Sequence, residues 1–418
     1  MRGMPDEMRH RIGEITLTVR GPDRRPLADR VITVAQQRHD FAFGNIGFDF
    51  VGLIGGAGAD ETAAVFGGAE LIGLDRLADA WLGLFNTATL PFYWGQYEPV
   101  RGKPDERRLT ATARWLAARG VTVKGHPLLW HTVQPDWLLG LELDEVERLT
   151  RERIREVVTE FVGLIDVWDA INEAVIMPVF ANGANAITPL AWDRGRIAMV
   201  RMAFEEARAA NPAATLVLND FDLDSAYECL IEGVLAAGIE IDAIGLQTHM
   251  HQGYRGEEYM RDTLDRFARF GKPLHMTETT LLSGHLMPPD IEDLNDYQIP
   301  SWPSTPEGEQ RQAEEIVRHY RSLVGHPAVQ SINYWGITDD GAWLGAPVGL
   351  LRADGSRKPS YDALHGLIKG EWWWPPTEMR TGPDGTVIVR GFFGDYTAAG
   401  EPFTIRPGQT EATVTLAG

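Results

Sequence analysis

The stretch RGRIAMVRMAFEEARAANPAATLVLND, residues 194–220, decides how the chain is read. In its first part Ile197, Val200, Phe204 and Ala207 lie three or four residues apart, the spacing of one apolar helix face over Arg194–Ala210. Its last part, TLVLND at 215, is a short apolar run of strand character. The same alternation extends in both directions. Strand-like runs are FAFGN at 41, LFNTATL at 84, VTVKGH at 121, IDVWDAIN at 165, IDAIGLQTH at 241, KPLHMTE at 272 and VQSINYWG at 329. Each is followed, after a loop, by a candidate helix; Leu149–Ile165 and Pro306–Leu323 repeat the helical spacing, and Pro306 suits a helix start. Eight strand–helix pairs between His39 and Gly370 fit an α/β chain closed into a (β/α)8 TIM barrel better than an open sheet. A doubly wound sheet needs a phosphate-type glycine turn, and FGNIGFDFVG at 43 is not one; no Walker motif occurs either.

The flanks follow a different period. Gly13–Gln37 alternates as ITLTV and VITVA around GPDRRPLAD, and TVIVR, FTIRP and ATVTL recur between Thr377 and Gly418. Neither flank has enough strands for a stable pair of sheets. They are therefore expected to combine into a small accessory β-sandwich built from N- and C-terminal segments. The expected division is 11–40, 41–370 for the barrel, and 371–418, with Trp372–Trp374 as the packing seam.

Composition narrows the function. Of 418 residues 44% are hydrophobic, enough for a large core, and 39 basic against 59 acidic side chains give a net charge of −20. Such a charge repels phosphate backbones and anionic membrane surfaces, so neither nucleic acid nor membrane is an expected partner. The single cysteine, Cys229, excludes an intrachain disulfide and a thiolate zinc site. Its place in the apolar-periodic stretch Asp224–Gly238 reads as a small core residue. MRGMPDEMRHRIGEITL at the start holds no apolar run of signal-peptide length. The sequence as it stands is expected in the cytoplasm, and outside the cell if a leader is removed. Oligomeric state is left open.

Barrel chemistry gathers at the carboxyl ends of the strands. Those ends carry His126, Asn172 with Glu173, Asn219 with Asp220, Gln247 with His249, Glu278, and Trp335. Glu173 and Glu278 follow the fourth and seventh strands, which face each other across the rim. Paired carboxylates over a cleft suit glycosidic cleavage: one protonated to donate to the leaving oxygen, the other ionised to attack carbon or activate water. Asn172 offers an amide to a sugar hydroxyl, and His249 is placed to hydrogen-bond Glu278 and keep it ionised. Trp130, Trp335 and Trp343 supply flat faces on which sugar C–H groups stack. This scheme calls on no cofactor and no metal, and its partner is a carbohydrate or glycoside.

KGHPLLWH, WDAINEA, LVLNDFD, IGLQTHM, MTETT and YWGITDDGAW, with the closing PVGLLRADGSRKPSYDAL, stand in the order and approximate spacing of family 10 glycoside hydrolases. The resemblance runs from about Phe41 to Lys369. It implies a metal-free barrel that acts as a retaining, xylanase-like β-glycosidase by double displacement. It implies Glu173 as general acid/base and Glu278 as nucleophile. His126, Trp130, Asn172, Gln247, His249, Trp335 and Trp343 match positions lining the family's site. Two regions depart. After the second strand the family's Thr-Pro-Glu-Asn-Glu-Met-Lys-Trp run is replaced by TATLPFYWGQYEP, 87–99, where Trp94 and Glu98-Pro99 fit but Phe92 and Tyr93 stand in the polar grip. Thr279-Thr280 follow the nucleophile position, and the stretch Leu281–Thr305, with His285, Tyr297 and Trp302, is long for a strand–helix loop. Phe92, Tyr93, Trp94, Asn219 and Trp302 are accordingly further candidates for substrate contact.

Three other readings compete. The substrate is a short oligosaccharide, an aryl glycoside or a metabolite glycoside in place of polymeric xylan, favoured by the Phe92–Tyr93 pair. A metal-dependent barrel hydrolase is suggested by His249 and His251 with His126 and His131. A silent carbohydrate-binding barrel is expected to lack one carboxylate, and both are present.

Overall fold

A computed structural model describes residues 6–56 and 72–417; residues 1–5 of the charged N-terminal stretch and 57–71 of the barrel segment lie outside the described residues. Two long strands come first, β1 (Ile12–Arg20) and β2 (Val31–His39). The eight apolar runs then form β3 (Ala42–Ile46), β4 (Thr87–Pro91), β5 (Thr122–His126), β6 (Val167–Asn172), β7 (Thr215–Asp220), β8 (Ala243–Met250), β9 (Leu274–Leu281) and β10 (Val329–Tyr334). They close in the order β10-β3-β4-β5-β6-β7-β8-β9, every neighbour parallel. Closure leaves no open edge, and helices between the strands cover the outside.

Local chemistry explains the elements and their small departures from the sequence reading. The stretch at Arg194–Ala210 is two helices, Ile187–Arg194 and Arg196–Ala210, broken at Gly195, whose φ of 85° side chains rarely adopt. The second helix buries Met199, Val200, Ala203, Phe204 and Ala207, the apolar face the spacing predicts. In the helix Pro306–Gly325 the Thr305 hydroxyl caps the Gly308 N–H at 3.0 Å, and Pro306 occupies the first turn. Gly125 has no tolerance for a side chain, because a Cβ there lies 2.0 Å from the ring of buried Trp168. Each fully buried aromatic of this core, Trp81 and Trp168 among them, contributes about 2–3 kcal/mol by leaving water. Cys229 corrects its sequence reading: it is exposed, because the helix Ser225–Ala236 turns Tyr227, Leu230, Ile231 and Val234 inward instead.

The flanks meet as the alternation predicts. The C-terminal strands are β11 (Thr377–Arg380), β12 (Thr386–Phe392), β13 (Gly394–Ala398), β14 (Glu401–Ile405) and β15 (Glu411–Thr415). One sheet runs β12-β1-β15 and the other β11-β2-β13-β14, so each sheet takes strands from both ends of the chain. Alternate residues Ile15, Leu17 and Val19 of β1 pack with Ile32, Val34, Val389, Phe403 and Ile405 in a core separate from that of the barrel. Trp372 is buried in the barrel and stacks on Phe43, with ring centroids 6.0 Å apart, while Trp374 packs on the sandwich core. Arg11 reinforces the seam by donating to the carbonyls of Val324, His326 and Val329. Among the described residues no helix is long and apolar enough to cross a membrane.

Candidate active site

The carboxyl end of β6 delivers Glu173 in an unusual conformation. Its φ is 57°, in the left-handed region, which costs a residue with a Cβ about 1–2 kcal/mol. A bond from its backbone N–H to the Asn219 carbonyl, 2.8 Å, holds it there. Its Oε2 accepts from the Trp130 indole at 2.8 Å, and its Oε1 from Asn172 Nδ2 at 3.0 Å and Gln247 Nε2 at 3.4 Å. Burial, and next the charge of Glu278, push the Glu173 carboxyl up to about 8, so it holds its proton at neutral pH.

Glu278, on β9, is treated oppositely. Its Oε1 accepts from Asn219 Nδ2 at 3.0 Å, and its Oε2 lies 3.1 Å from His249 Nε2. His126 Nε2 stands 3.9 Å from Oε1. Burial works to raise this carboxyl, but the two imidazoles outweigh it and hold it below the ordinary glutamate value. Asn219 ties the pair together. Its Nδ2 also donates to Asn172 Oδ1 at 2.7 Å, and its Oδ1 accepts from the Thr277 hydroxyl. One chain of amides thus runs from Glu173 through Asn172 and Asn219 to Glu278. Beneath it, Asp169 takes His126 Nδ1 and Lys124 Nζ on one oxygen, both at 2.7 Å. Burial opposes its charge, and Lys124 followed by His126 keeps it ionised nonetheless.

Aromatic rings wall the opposite flank. Tyr93 lies 5.6 Å from both the His126 and Trp130 rings. Phe48 meets Tyr93 at 6.0 Å and Trp335 at 5.6 Å, and Trp335 stands edge-on to His126 at 5.1 Å. Burial, then the charges of Glu278 and Glu173, push the Tyr93 phenol well above its ordinary value, so it remains a donor. Buried Arg153, from the helix Leu143–Glu160, donates to the carbonyls of Phe92 and Leu128 and fixes the backbone on which Tyr93 and Trp130 sit. Trp343, 37% exposed, completes the rim 5.0 Å from His249.

The expected residues therefore divide. Glu173, Glu278, His126, Trp130, Asn172, Gln247, His249, Trp335, Trp343, Asn219 and Tyr93 come together. Phe92 does not: it is fully buried against Trp168 and Phe161, at 4.9 and 5.1 Å, because the residue before Tyr93 faces the other way. Trp94 is also inward, packed on Trp137 and Arg153 with its N–H on Glu98. Trp302 anchors a small core between its own loop, with Leu282 and Met287, and the loop after β10, with Ala346 and Val348. The imidazoles weighed for a metal serve the carboxylates and the aromatic packing instead. His126 is on Asp169, His249 on Glu278, and His131 lies against Phe180 at 4.3 Å. Among the described residues no three His, Cys, Asp or Glu side chains converge as a metal-holding group. Phe48, Lys124, Asp169 and Arg153 escaped the sequence reading. For Asp169 a signal existed, since it lies inside WDAIN, two residues before Ile171.

Comparison with known proteins bears on the family and the fold. A family model described as Glycosyl hydrolase family 10 matches residues 87–366. Endo-1,4-beta-xylanase C of Paenibacillus barcinonensis is 27% identical over 274 residues, which are 59% of this chain and 24% of that protein. Endo-1,4-beta-xylanase B of Thermotoga neapolitana is 28% identical over 297 residues, 66% of this chain and 78% of that protein. The chain therefore spans only a minor part of the first relative and most of the second. Among solved structures, xylanase 10B from Thermotoga petrophila RKU-1 in complex with xylobiose shares the fold. It has a TM-score of 0.62 and 21% identity, over 79% of this chain and 95% of that one.

Proposed function

The chain belongs to glycosyl hydrolase family 10, and from that premise we propose that it is a xylanase-like retaining β-glycoside hydrolase, with Glu278 as nucleophile and Glu173 as acid/base. The observation that carries this reading is the opposite displacement of two buried carboxyls joined by one amide chain, Glu173 up to about 8 and Glu278 below its ordinary value. In the first step a Glu278 oxygen attacks the anomeric carbon. The bond to the leaving oxygen breaks, and that oxygen takes the Glu173 proton. In the second step the ionised Glu173 takes a proton from water, whose oxygen displaces Glu278 and restores the original configuration. The roles alternate for an electrostatic reason. Once Glu278 is an ester it carries no charge, so the repulsion that favoured protonated Glu173 is gone and Glu173 becomes a base.

In this reading Asn172, Gln247 and His249 hold sugar hydroxyls, and Trp130, Trp335, Trp343 and Tyr93 stack on the ring. The relatives' names support a β-1,4-linked xylan-type glycan as substrate. Tyr93 favours a second reading in which the substrate is a short oligosaccharide, an aryl glycoside or a metabolite glycoside. It puts an aromatic ring and one phenol donor where several charged and amide groups are otherwise expected, and a lost polar grip changes specificity sharply.

The test is trapping with a 2-deoxy-2-fluoro glycoside bearing a dinitrophenyl leaving group, read by peptide mass spectrometry. One glycosyl adduct on Glu278 is expected. An adduct on another residue, or full turnover with no adduct, overturns the assignment.

A further inference from the structure

The loop leaving β9 does not stay above its own strand. The Met287 N–H donates to the His251 carbonyl at 2.9 Å, and Gln252 Nε2 donates to the carbonyls of Pro288 and Ile291 at 3.0 and 2.8 Å. The loop therefore crosses the end of β8 first. Beyond it, Asp293 Oδ2 accepts from Asn182 Nδ2 at 2.6 Å, and Asn182 belongs to the loop after β6. Asn295 Oδ1 accepts from the Trp343 indole at 3.3 Å, and Trp343 belongs to the loop after β10. In the closed order of strands, β6 and β10 stand four places apart, on opposite sides of the mouth. Residues 293 and 295 are separated by at most about 7 Å of extended chain. Trp343 itself reaches over the end of β8, 5.0 Å from the His249 ring and 5.2 Å from that of His251, so the side chains of one short segment join the loops after β6 and β10 along the β7–β8 side of the mouth.

This piece is built to keep its shape. Asp293 Oδ1 accepts from the Asn295 N–H at 2.9 Å, and the Trp302 indole donates to the His285 carbonyl at 2.9 Å within the loop's buried cluster. It stands on the β7–β8 side of the mouth, away from the β3–β5 side walled by Phe48 and Tyr93.

We propose that the loop 282–305 is a strap that ends the cleft on the β7–β8 side, so that a sugar chain reaches the two carboxylates from one direction only. A linear chain cut at an internal bond needs an exit on each side of the carboxylates. With one exit, the enzyme takes short glycosides and the terminal bonds of longer chains. This deepens the glycosidase reading and rests on it.

The test uses β-1,4-xylohexaose labelled at its reducing end, with p-nitrophenyl β-xyloside and β-xylobioside as short substrates, and chromatography of the labelled products. The full chain is expected to cut the hexaose only at the one or two bonds nearest one end, or to cleave the aryl glycosides alone. Asn182→Ala, Asp293→Ala and replacement of 286–300 by Gly-Ser-Gly are each expected to spread cleavage into the central bonds at least fivefold. Aryl-glycoside turnover is expected to stay within twofold in all three. Central cleavage by the unaltered chain overturns the strap and leaves the glycosidase reading standing, as does an unchanged pattern in the single variants. Inactivity on every one of these substrates overturns the glycosidase reading and the strap with it.

Discussion

The two halves of the barrel mouth are made of different materials. From β6 to β9 the rim offers amides, imidazole and carboxylates, namely Asn172, Asn219, Gln247, His249 and Glu278, each with a named hydrogen-bond partner. From β3 to β5, and closing at β10, it offers Phe48, Tyr93, Trp130 and Trp335, in ring contact at 5.6–6.0 Å. The polar half sets protonation states. A buried donor or acceptor without a partner costs about 1–3 kcal/mol, and the amides there are tied on several sides: Asn172 to Glu173, Asn219 and Gln247, and Asn219 to Glu278 and Thr277. In the aromatic half the Trp130 indole is committed to Glu173, while Phe48 and Tyr93 can change what fits without touching that bond. On the proposed function, chemistry and selectivity then separate by strand except at Trp130.

Mutations test that separation, and the largest effects should fall on the polar half. Glu278→Ala is expected to reduce kcat on an aryl glycoside by roughly 10⁴-fold or more, measured as initial rates. Glu173→Ala is expected to lose about 10²–10⁴-fold on substrates with poor leaving groups and little in the first step on dinitrophenyl glycosides. Added azide should restore its second step and yield a β-glycosyl azide. Failure to respond breaks the comparison at its strongest point. The pH profile of kcat/KM sharpens it: activity should fall as pH rises past about 8, where Glu173 loses its proton, and fall again at acid pH as Glu278 gains one. Asn219→Ala removes a donor to ionised Glu278, so its acid limb should move to higher pH. Tyr93→Ala, on the aromatic half, should leave both limbs in place and change KM, by a different factor for xylan and for aryl glycosides.

The smallest effect concerns stability. The Glu173 carboxyl is raised in the fold, so the folded state binds a proton that the unfolded chain releases above its ordinary value. Stability from this group is present below that value and is lost as pH rises toward about 8. Glu173→Gln should therefore raise Tm at pH 8 and leave it nearly unchanged at pH 4, measured by calorimetry.

Much of this was legible in the sequence, for reasons that differ by element. All eight strand runs were readable because a strand buried on both faces leaves a dense apolar signature, as in TLVLND at 215 and IDAIGLQTH at 241. The convergence of Glu173 and Glu278 was readable because both follow strands that face each other across the rim. The side chains that were misread depend on direction or on distant contacts. Phe92 and Tyr93 are adjacent aromatics, and only alternation along the chain tells which one meets the core. Asp169 was obscured by a register shift between Asp169 and Ile171, which breaks that alternation within β6. Trp302 lies in a long loop whose own small core depends on Ala346 and Val348, contacts with no local signature. Cys229 shows the limit of periodicity: a 15-residue apolar pattern locates the helix, yet one residue off the stripe is enough to face water.

The pairing of β1 with β12 and β15 bears on how the molecule is made. During synthesis β1 emerges long before either neighbour, with Ile15, Leu17 and Val19 on one face and unsatisfied peptide groups along both edges. Until residues 386–415 arrive it is an open template for another nascent chain. Chaperone demand should concentrate on this interval, and shortening the C-terminus should raise aggregation well before it touches turnover.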